Sequence, residues 1–310
     1  MEPEVAGDPM SDLKWTRKTT QKIAEQLQRL AIHVSARTVA RLLKGMRFSL
    51  RVNHKTLESG LKHPPPRKVR NQQFQYIEQR RRRFARGGDP VISVDTKKKE
   101  LVGRFKNAGA TWRQQPDPVK DHDFRNDALG LVIPYGIHDT LANKGWVEIG
   151  TSSETPAFAV DAIVSWWKRS GSKSYPQAKR LLILADCGGA NSARARAWKY
   201  HLASRLAEPF KLKVTVCHYP PGASKWNPIE HRLFSQITKH WAGKPLESYE
   251  TVLKYIRRTA TATGLRVRAR LTTRHYEKGE RIPDRQMDQL HLRRHIILPT
   301  WNYTLAPGKM

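Results

Sequence analysis

Apolar residues recur along this chain with two periods, and the change from one to the other divides it. Between residues 20 and 46, Ile23, Leu27 and Leu30 follow an i, i+4, i+7 stripe, which predicts an amphipathic helix. A loop containing His33 follows, and Ser35 is placed to cap a second helix on which Val39, Leu42, Leu43 and Met46 share one face. A helix turns about 100° per residue, so Arg37, Arg41 and Lys44 fall on its opposite face. Residues 60–70, with Pro64, Pro65 and Pro66, read as an extended linker. A third helix is predicted from about Asn71, carrying Phe74, Ile77 and Phe84, and Gly87-Gly88-Asp89-Pro90 stops it.

From residue 91 the period shortens. Apolar runs at 91–95, Leu131–Ile137, Trp146–Ile149, 181–185 and 212–217 read as strands. Between them lie a helix capped at Thr155 with Pro156 at its first position, presenting Phe158, Ala162, Ile163 and Trp166, and a helix from about Ala190 to Leu206. A last helix runs from Pro228 to about Trp241. The order β-β-β-α-β-α-β-α predicts an α/β fold, a mixed sheet flanked by helices. There is no internal repeat. Beyond Gly264 the chain is basic and broken, with Arg266, Arg268 and Arg270 alternating with apolar residues as on a two-faced strand. The expected division is therefore 1–60, an all-α helix-turn-helix module; 61–88, linker and basic helix; 89–262, the α/β core; and 263–310, a basic C-terminal segment.

Charge narrows the partners. Fifty-seven Lys and Arg against 27 Asp and Glu give a net charge of +30. Such a surplus repels itself in a compact fold unless a polyanion neutralises it, so nucleic acid is the first partner to consider and an anionic membrane the second. No apolar run approaches the roughly 20 residues of a membrane span, and the acidic start Met1-Glu2-Pro3-Glu4 is unlike a signal peptide. A cytoplasmic protein is expected. Cys187 and Cys217 form no C-x-x-C pair, which speaks against a zinc knuckle and for two reduced, partly buried thiols.

The basic clusters then take on meaning. A second helix docked by its apolar face, with Arg37, Arg41 and Lys44 outward, suits reading of a DNA major groove. The run Arg80, Arg81, Arg82 and Arg83 puts charge all round one helix, which suits phosphates rather than bases; a nuclear-import signal is the competing reading. Lys97, Lys98 and Lys99 are expected to face the DNA backbone.

Three carboxylates carry the candidate chemistry. Asp95 and Asp186 each close an apolar strand, at the carboxyl end where open sheets expose their sites. Glu230 begins an apolar-periodic helix whose Ile229, Leu233, Phe234, Ile237 and Trp241 form a docking stripe. If the two strands were neighbours and the helix crossed their ends, the three carboxylates would suit a pair of hard divalent cations, which catalyse in-line attack on phosphodiesters.

The segments Val91-Ile-Ser-Val-Asp95-Thr-Lys-Lys-Lys-Glu100, Ala185-Asp186-Cys-Gly-Gly-Ala-Asn191 and Tyr219-Pro-Pro-Gly-Ala-Ser-Lys-Trp-Asn-Pro-Ile-Glu230-His-Arg-Leu-Phe234 resemble the DDE transposases of bacterial insertion sequences. Within these, the resemblance is to the Rhodopirellula-type transposase DDE domain, which is distantly similar to mariner-like enzymes. It runs from about Trp15 to Tyr303. It implies a ribonuclease-H-like core, catalysis by Asp95, Asp186 and Glu230 with two Mg²⁺ or Mn²⁺, and double-stranded DNA as partner, both the element's terminal repeats and the target. It further implies a homo-oligomer on DNA and association with a bacterial nucleoid. Cys187 departs from the glycine usual in the family, and the family carries more helical sequence ahead of Trp15, so a truncated or restarted copy is expected. Two other readings stay open: a transposase remnant that binds DNA without cutting it, and another ribonuclease-H-like nuclease such as a resolvase. Asn191 is expected to cap the helix after Asp186, His218 and His231 to bond or face phosphates rather than bind metal, and Asp121-His122-Asp123 to be structural.

Overall fold

The computed structural model describes residues 5–7, 14–16, 18–50, 65–223 and 226–308. The chain divides into two units, Met1–Thr56 and Leu57–Met310. In the first, β1 (Val5–Gly7) pairs antiparallel with β2 (Lys14–Thr16). Helix α1 (Thr20–Arg29) is capped by Thr19 and α2 (Ala36–Gly45) by Ser35, whose hydroxyl accepts from the Thr38 N–H at 3.1 Å. Ile23, Ala24 and Val39 are buried together, with Leu27, Val34 and Leu43 against them. Leu42 and Met46, expected in this contact, are exposed: α1 covers one line of α2, through Val39 and Leu43, and leaves the side chains beside it uncovered. Arg37, Arg41 and Lys44 are exposed, as the helical period requires.

In the second unit, α3 (Arg67–Arg86) begins four residues earlier than its apolar stripe announces, directly after Pro66. Residues 60–64 of the linker lie outside the described residues. There follow β3 (Val91–Thr96), β4 (Glu100–Val102), β5 (Gly130–Asp139), β6 (Lys144–Gly150) and α4 (Pro156–Trp166). A π turn, Trp167–Gly171, and the single turn α5 (Ser172–Ser174) extend α4. After β7 (Arg180–Ala185), the helix expected from Ala190 starts only at α6 (Arg196–His201). It continues through a π segment, Leu202–Ala207, into α7 (Glu208–Phe210). Then come β8 (Lys213–His218), a π turn at Glu230–Phe234 running into α8 (Ser235–His240), and α9 (Tyr249–Arg258). The C-terminal segment supplies β9 (Arg266–Thr272), α10 (Asp284–Asp288), β10 (Leu292–Arg294) and β11 (Asn302–Leu305).

Among the described residues, nine strands form one sheet in the order β10-β11-β8-β7-β3-β5-β6-β9, with β4 on β5. Strands β3, β7 and β8 are parallel, while β5 runs antiparallel to both β3 and β6. The inner order β6-β5-β3-β7-β8, with only its second strand in sequence reversed, is the ribonuclease-H-like arrangement. Residues 263–310, expected as a separate basic segment, instead extend this sheet at both edges, β9 beside β6 and β11 beside β8. The reason lies in their alternation: Val267 and Ala269 turn inward between exposed arginines, and Tyr303 and Leu305 are fully buried.

One face of the sheet, with Ile92, Val94, Leu181 and Ile183, packs on α4 and α6 through Phe158, Ile163 and Trp198. Its other face is covered in two parts. Ile229, Leu233, Phe234 and α9 lie over Val147 and Ile149, and Tyr76, Ile77 and Phe84 of α3 lie over Leu182 and Leu184. Among the described residues, no helix is long and apolar enough to cross a membrane.

Candidate active site

The parallel register of β3 on β7 sets the site. Val94 pairs with Ala185, so Asp95 and Asp186, the next residue on each chain, leave adjacent strands at the same level. Neighbouring strands lie about 4.8 Å apart, which brings two acids side by side at one sheet edge. Glu230 arrives on the helix that crosses this edge. All three line one cleft of about 460 Å³, together with Lys98, Lys99 and Glu154.

Their electrostatics show what the cleft lacks. Burial, and then the facing charge of Asp186, push Asp95 up to about 8. Burial also raises Asp186, to about 6, against the opposing pull of the Gly188 N–H and the Asn191 side chain. Glu230 is raised by burial and relieved by Lys97 and His231. Such a site favours protonated acids unless a cation enters.

Several residues hold these acids in place. Asn191 is buried and accepts from the Tyr135 hydroxyl at 2.7 Å while bonding Asp186. It is therefore not the expected helix cap: α6 starts after Ala195 with no side-chain cap. His218 is buried, and burial pushes it down to about 4, so it is neutral; its Nδ1 lies 2.7 Å from the Asp186 carbonyl oxygen and its Nε2 3.3 Å from the Tyr303 hydroxyl. Neutral imidazole donates at one nitrogen and accepts at the other, so His218 ties the second aspartate to the C-terminal strand. Cys187 takes an ordinary backbone conformation, and the left-handed one falls on Gly189, φ +56°. The cysteine thus meets no steric demand for glycine. Its thiol donates to the Tyr219 carbonyl at 3.1 Å and is pushed up to about 12 by burial. Both cysteines are free.

The lysines following Asp95 part ways. Lys97 is buried, 7% exposed, with its ammonium 4.7 Å over the Trp241 ring and 3.3 Å from Glu100, and it lines the carboxylate cleft from within. Lys98 is exposed, and Lys99 pairs with Glu154 at 2.8 Å. The arginine run divides too. Arg80 stacks on Tyr76 and donates to its hydroxyl, Arg81 and Arg82 pair with Glu78, and Arg83 is exposed without an ion pair among the described residues. Asp121 and His122 lie exposed in the loop before β5.

Sequence reasoning missed two features. Glu154, just ahead of the α4 cap, bears on both aspartates as a fourth carboxylate; nothing in its local sequence distinguishes it from an ordinary loop acid. Ser93 and Asn227 also escaped notice, although both lie within the transposase-like segments. Their burial beside the site is a tertiary fact.

Among the described residues, no three His, Cys, Asp or Glu side chains are drawn together as a ready metal cage. The donor set nevertheless suits a hard cation. It is all carboxylate, burial raises each of its acids, and Asp186 Oδ1 is buried without a hydrogen-bond partner among the described residues.

The core is ribonuclease-H-like and gathers carboxylates at the ends of its first and fourth inner strands. The family model described as the Rhodopirellula transposase DDE domain matches residues 1–307, and the chain belongs to that family. No curated protein matches it. Among solved structures it is similar to the mariner Mos1 paired-end complex with Mg, at 17% identity and TM-score 0.48, covering 77% of this chain and 65% of that one. The Mos1 paired-end complex with left transposon end matches at 18% identity and TM-score 0.44 over the same shares. The Mos1 strand transfer complex matches at 17% and 0.46, covering 77% of this chain and 64% of that one. The chain thus spans less than two thirds of the length of these relatives.

Proposed function

We propose that this chain is an active transposase that nicks the ends of a mobile DNA element and joins them to target DNA. The observation that carries the reading is the in-register exit of Asp95 and Asp186 from adjacent parallel strands, with Glu230 brought to the same cleft. Asp95, Asp186 and Glu230 would hold two Mg²⁺ or Mn²⁺. Such a pair, when bound, activates the attacking oxygen and stabilises the leaving one.

The chain's own residues do the rest. Asn191 and His218 fix Asp186, one through its carboxylate and the other through its carbonyl. Lys98 and Lys99 offer ammonium groups to the phosphates beside the cut. A larger cleft of about 1130 Å³ continues from Glu230 past Phe105 and Lys239 and gives a strand room to leave. In the first step a water oxygen bonds to phosphorus as the bond to the 3′ oxygen breaks, leaving a 3′ hydroxyl and a 5′ phosphate. In the second, that hydroxyl loses its proton, bonds to a target phosphorus and displaces the target's own 3′ oxygen.

The helix pair α1–α2 would read the terminal repeats through Arg37, Arg41 and Lys44, with the exposed arginines of α3 holding backbone phosphates and two copies of the chain pairing two ends. A duplex carrying the element end, incubated with Mg²⁺, tests the reading. Nicking at the element boundary followed by joining to a second duplex is expected, and binding without either would leave only a DNA-binding remnant.

A further inference from the structure

The helix that carries Glu230 is fastened to the strand that carries Asp95 by one buried clasp. Ser93, two residues before Asp95, donates its hydroxyl to Asn227 Oδ1 and accepts the Ile229 N–H at 3.1 Å. Asn227 Nδ2 reaches back to the Val94 carbonyl at 3.3 Å, and the Asn227 carbonyl accepts the Glu230 N–H at 3.1 Å. Ser93 and Asn227 are both fully buried. Every polar atom of the two side chains is thereby used, and the bonds join β3 to the start of the helix that carries Glu230.

The local chemistry is unusual for a mere fastening. Ser93 is a hydroxyl in a strand otherwise buried with Val91, Ile92 and Val94, where valine would fit the sheet better. Ile229, one residue before Glu230, lies in the first helical turn, where its own helix offers no acceptor, and its N–H is taken by a side chain of the sheet. Asn227 and Pro228 therefore start the helix at a point fixed by β3, and the π turn that begins at Glu230 follows directly. π turns are frequent at functional sites.

We infer that Ser93 and Asn227 are positioning residues that set the reach of Glu230 to Asp95 and thereby the fit of the carboxylates to their cations. The inference rests on the proposed function for its consequence but not for its test. A packing contact would lose stability when cut; a positioning contact loses cation affinity and turnover while the fold persists. Residues that orient ligating carboxylates typically change metal affinity or activity by about 10–100-fold when replaced.

The experiment uses the full chain with Ser93→Ala, Asn227→Ala, their double variant, the near-isosteric Ser93→Cys, and Ser93→Thr, which keeps the hydroxyl. Two readouts are taken: the rise in melting temperature on titrating Mn²⁺ or Mg²⁺ without DNA, and kcat and KM for cleavage of an end-containing duplex. In both alanine variants the half-maximal metal concentration should rise by about 10–100-fold. Their kcat should fall by a comparable factor, while KM for DNA changes less than about twofold. Ser93→Cys should follow the alanine variants even where they fold poorly, because a thiol is a weak donor. Ser93→Thr should stay near wild type, and the double variant should be no worse than the more severe single one, since both cut the same clasp. An unshifted metal midpoint with unchanged kcat in Ser93→Cys overturns the inference. So does a drop in metal-free melting temperature with no midpoint shift, which would make the clasp a folding contact. A wild-type chain that binds metal but cuts no DNA would sink the proposed function, and the metal midpoint would still decide the clasp.

Discussion

Phe234 occupies the space above Gly136. A Cβ built on that glycine would collide with Phe234 Cε1 and lie 2.9 Å from Ile229 Cδ1. Gly136 is the register partner of Asp95 across β3 and β5, and Phe234 sits one turn beyond Glu230. The absent side chain therefore lets the glutamate's helix lie close against the sheet beside the first aspartate.

Gly136→Ala should push that helix outward. Overpacking a well-filled core costs about 1–3 kcal/mol, so the melting temperature should drop while the fold survives, and end cleavage should fall more than DNA binding. Melting curves and cleavage rates on the same preparation check this. Unchanged cleavage would mean that the helix position does not set the chemistry.

The pH dependence follows from Asp95. Its pKa rises from an ordinary 3.8 to about 8 in the fold, so folding favours its protonated form. The stability this gives is whole below about pH 4 and is lost as pH rises towards 8. Metal-free protein should therefore lose melting temperature across that window, Asp95→Asn should lose less, and Mg²⁺ should restore it with release of protons. A flat profile in the wild type would contradict the burial of this acid.

The arginine run should act unevenly. Removing one phosphate contact flattens the slope of log affinity against log salt by about 0.9. Arg80 is committed to Tyr76, and Arg81 and Arg82 share Glu78. Arg83→Ala should thus change the slope, and Arg80→Ala should instead lower stability. Titration of duplex DNA at several salt concentrations separates the two.

The proposed function assigns reading of the terminal repeat to α2. Arg37→Ala and Arg41→Ala should weaken specific binding by roughly 1–3 kcal/mol for each residue that contacts a base, with non-specific binding changed far less. Competition between end-containing and scrambled duplexes measures it. Specificity that survives both changes would assign the reading elsewhere.

The inner strands were legible because buried parallel strands announce themselves as short apolar runs, as at Leu181–Leu184, and Thr155-Pro156 marks its helix start by local chemistry alone. Helix α9 was missed although Ser248 caps it and Val252 and Ile256 share its buried face; its charged residues mask the stripe. β10 and β11 were hidden because short edge strands carry little periodicity. At the site, the strand-end aspartates stood out in the sequence. Glu154 and the Ser93–Asn227 clasp did not, because each depends on which distant segments the fold brings together. Lys97 looked like its neighbours Lys98 and Lys99, and only the placement of Trp241 and Glu100 around it turns it inward.

Cleavage by this chain stands or falls on Asp95, Asp186 and Glu230 acting together through bound cations. Asp186→Asn keeps the size of the side chain and removes the charge that faces a cation. Metal-dependent cleavage of an end-containing duplex should disappear in this variant, in Mg²⁺ and in Mn²⁺, with melting temperature and specific DNA binding nearly unchanged. Asp121→Asn, in the exposed loop before β5, serves as the control and should cut as wild type does. Cleavage by the Asp186 variant at the wild-type rate would overturn the assignment of all three carboxylates.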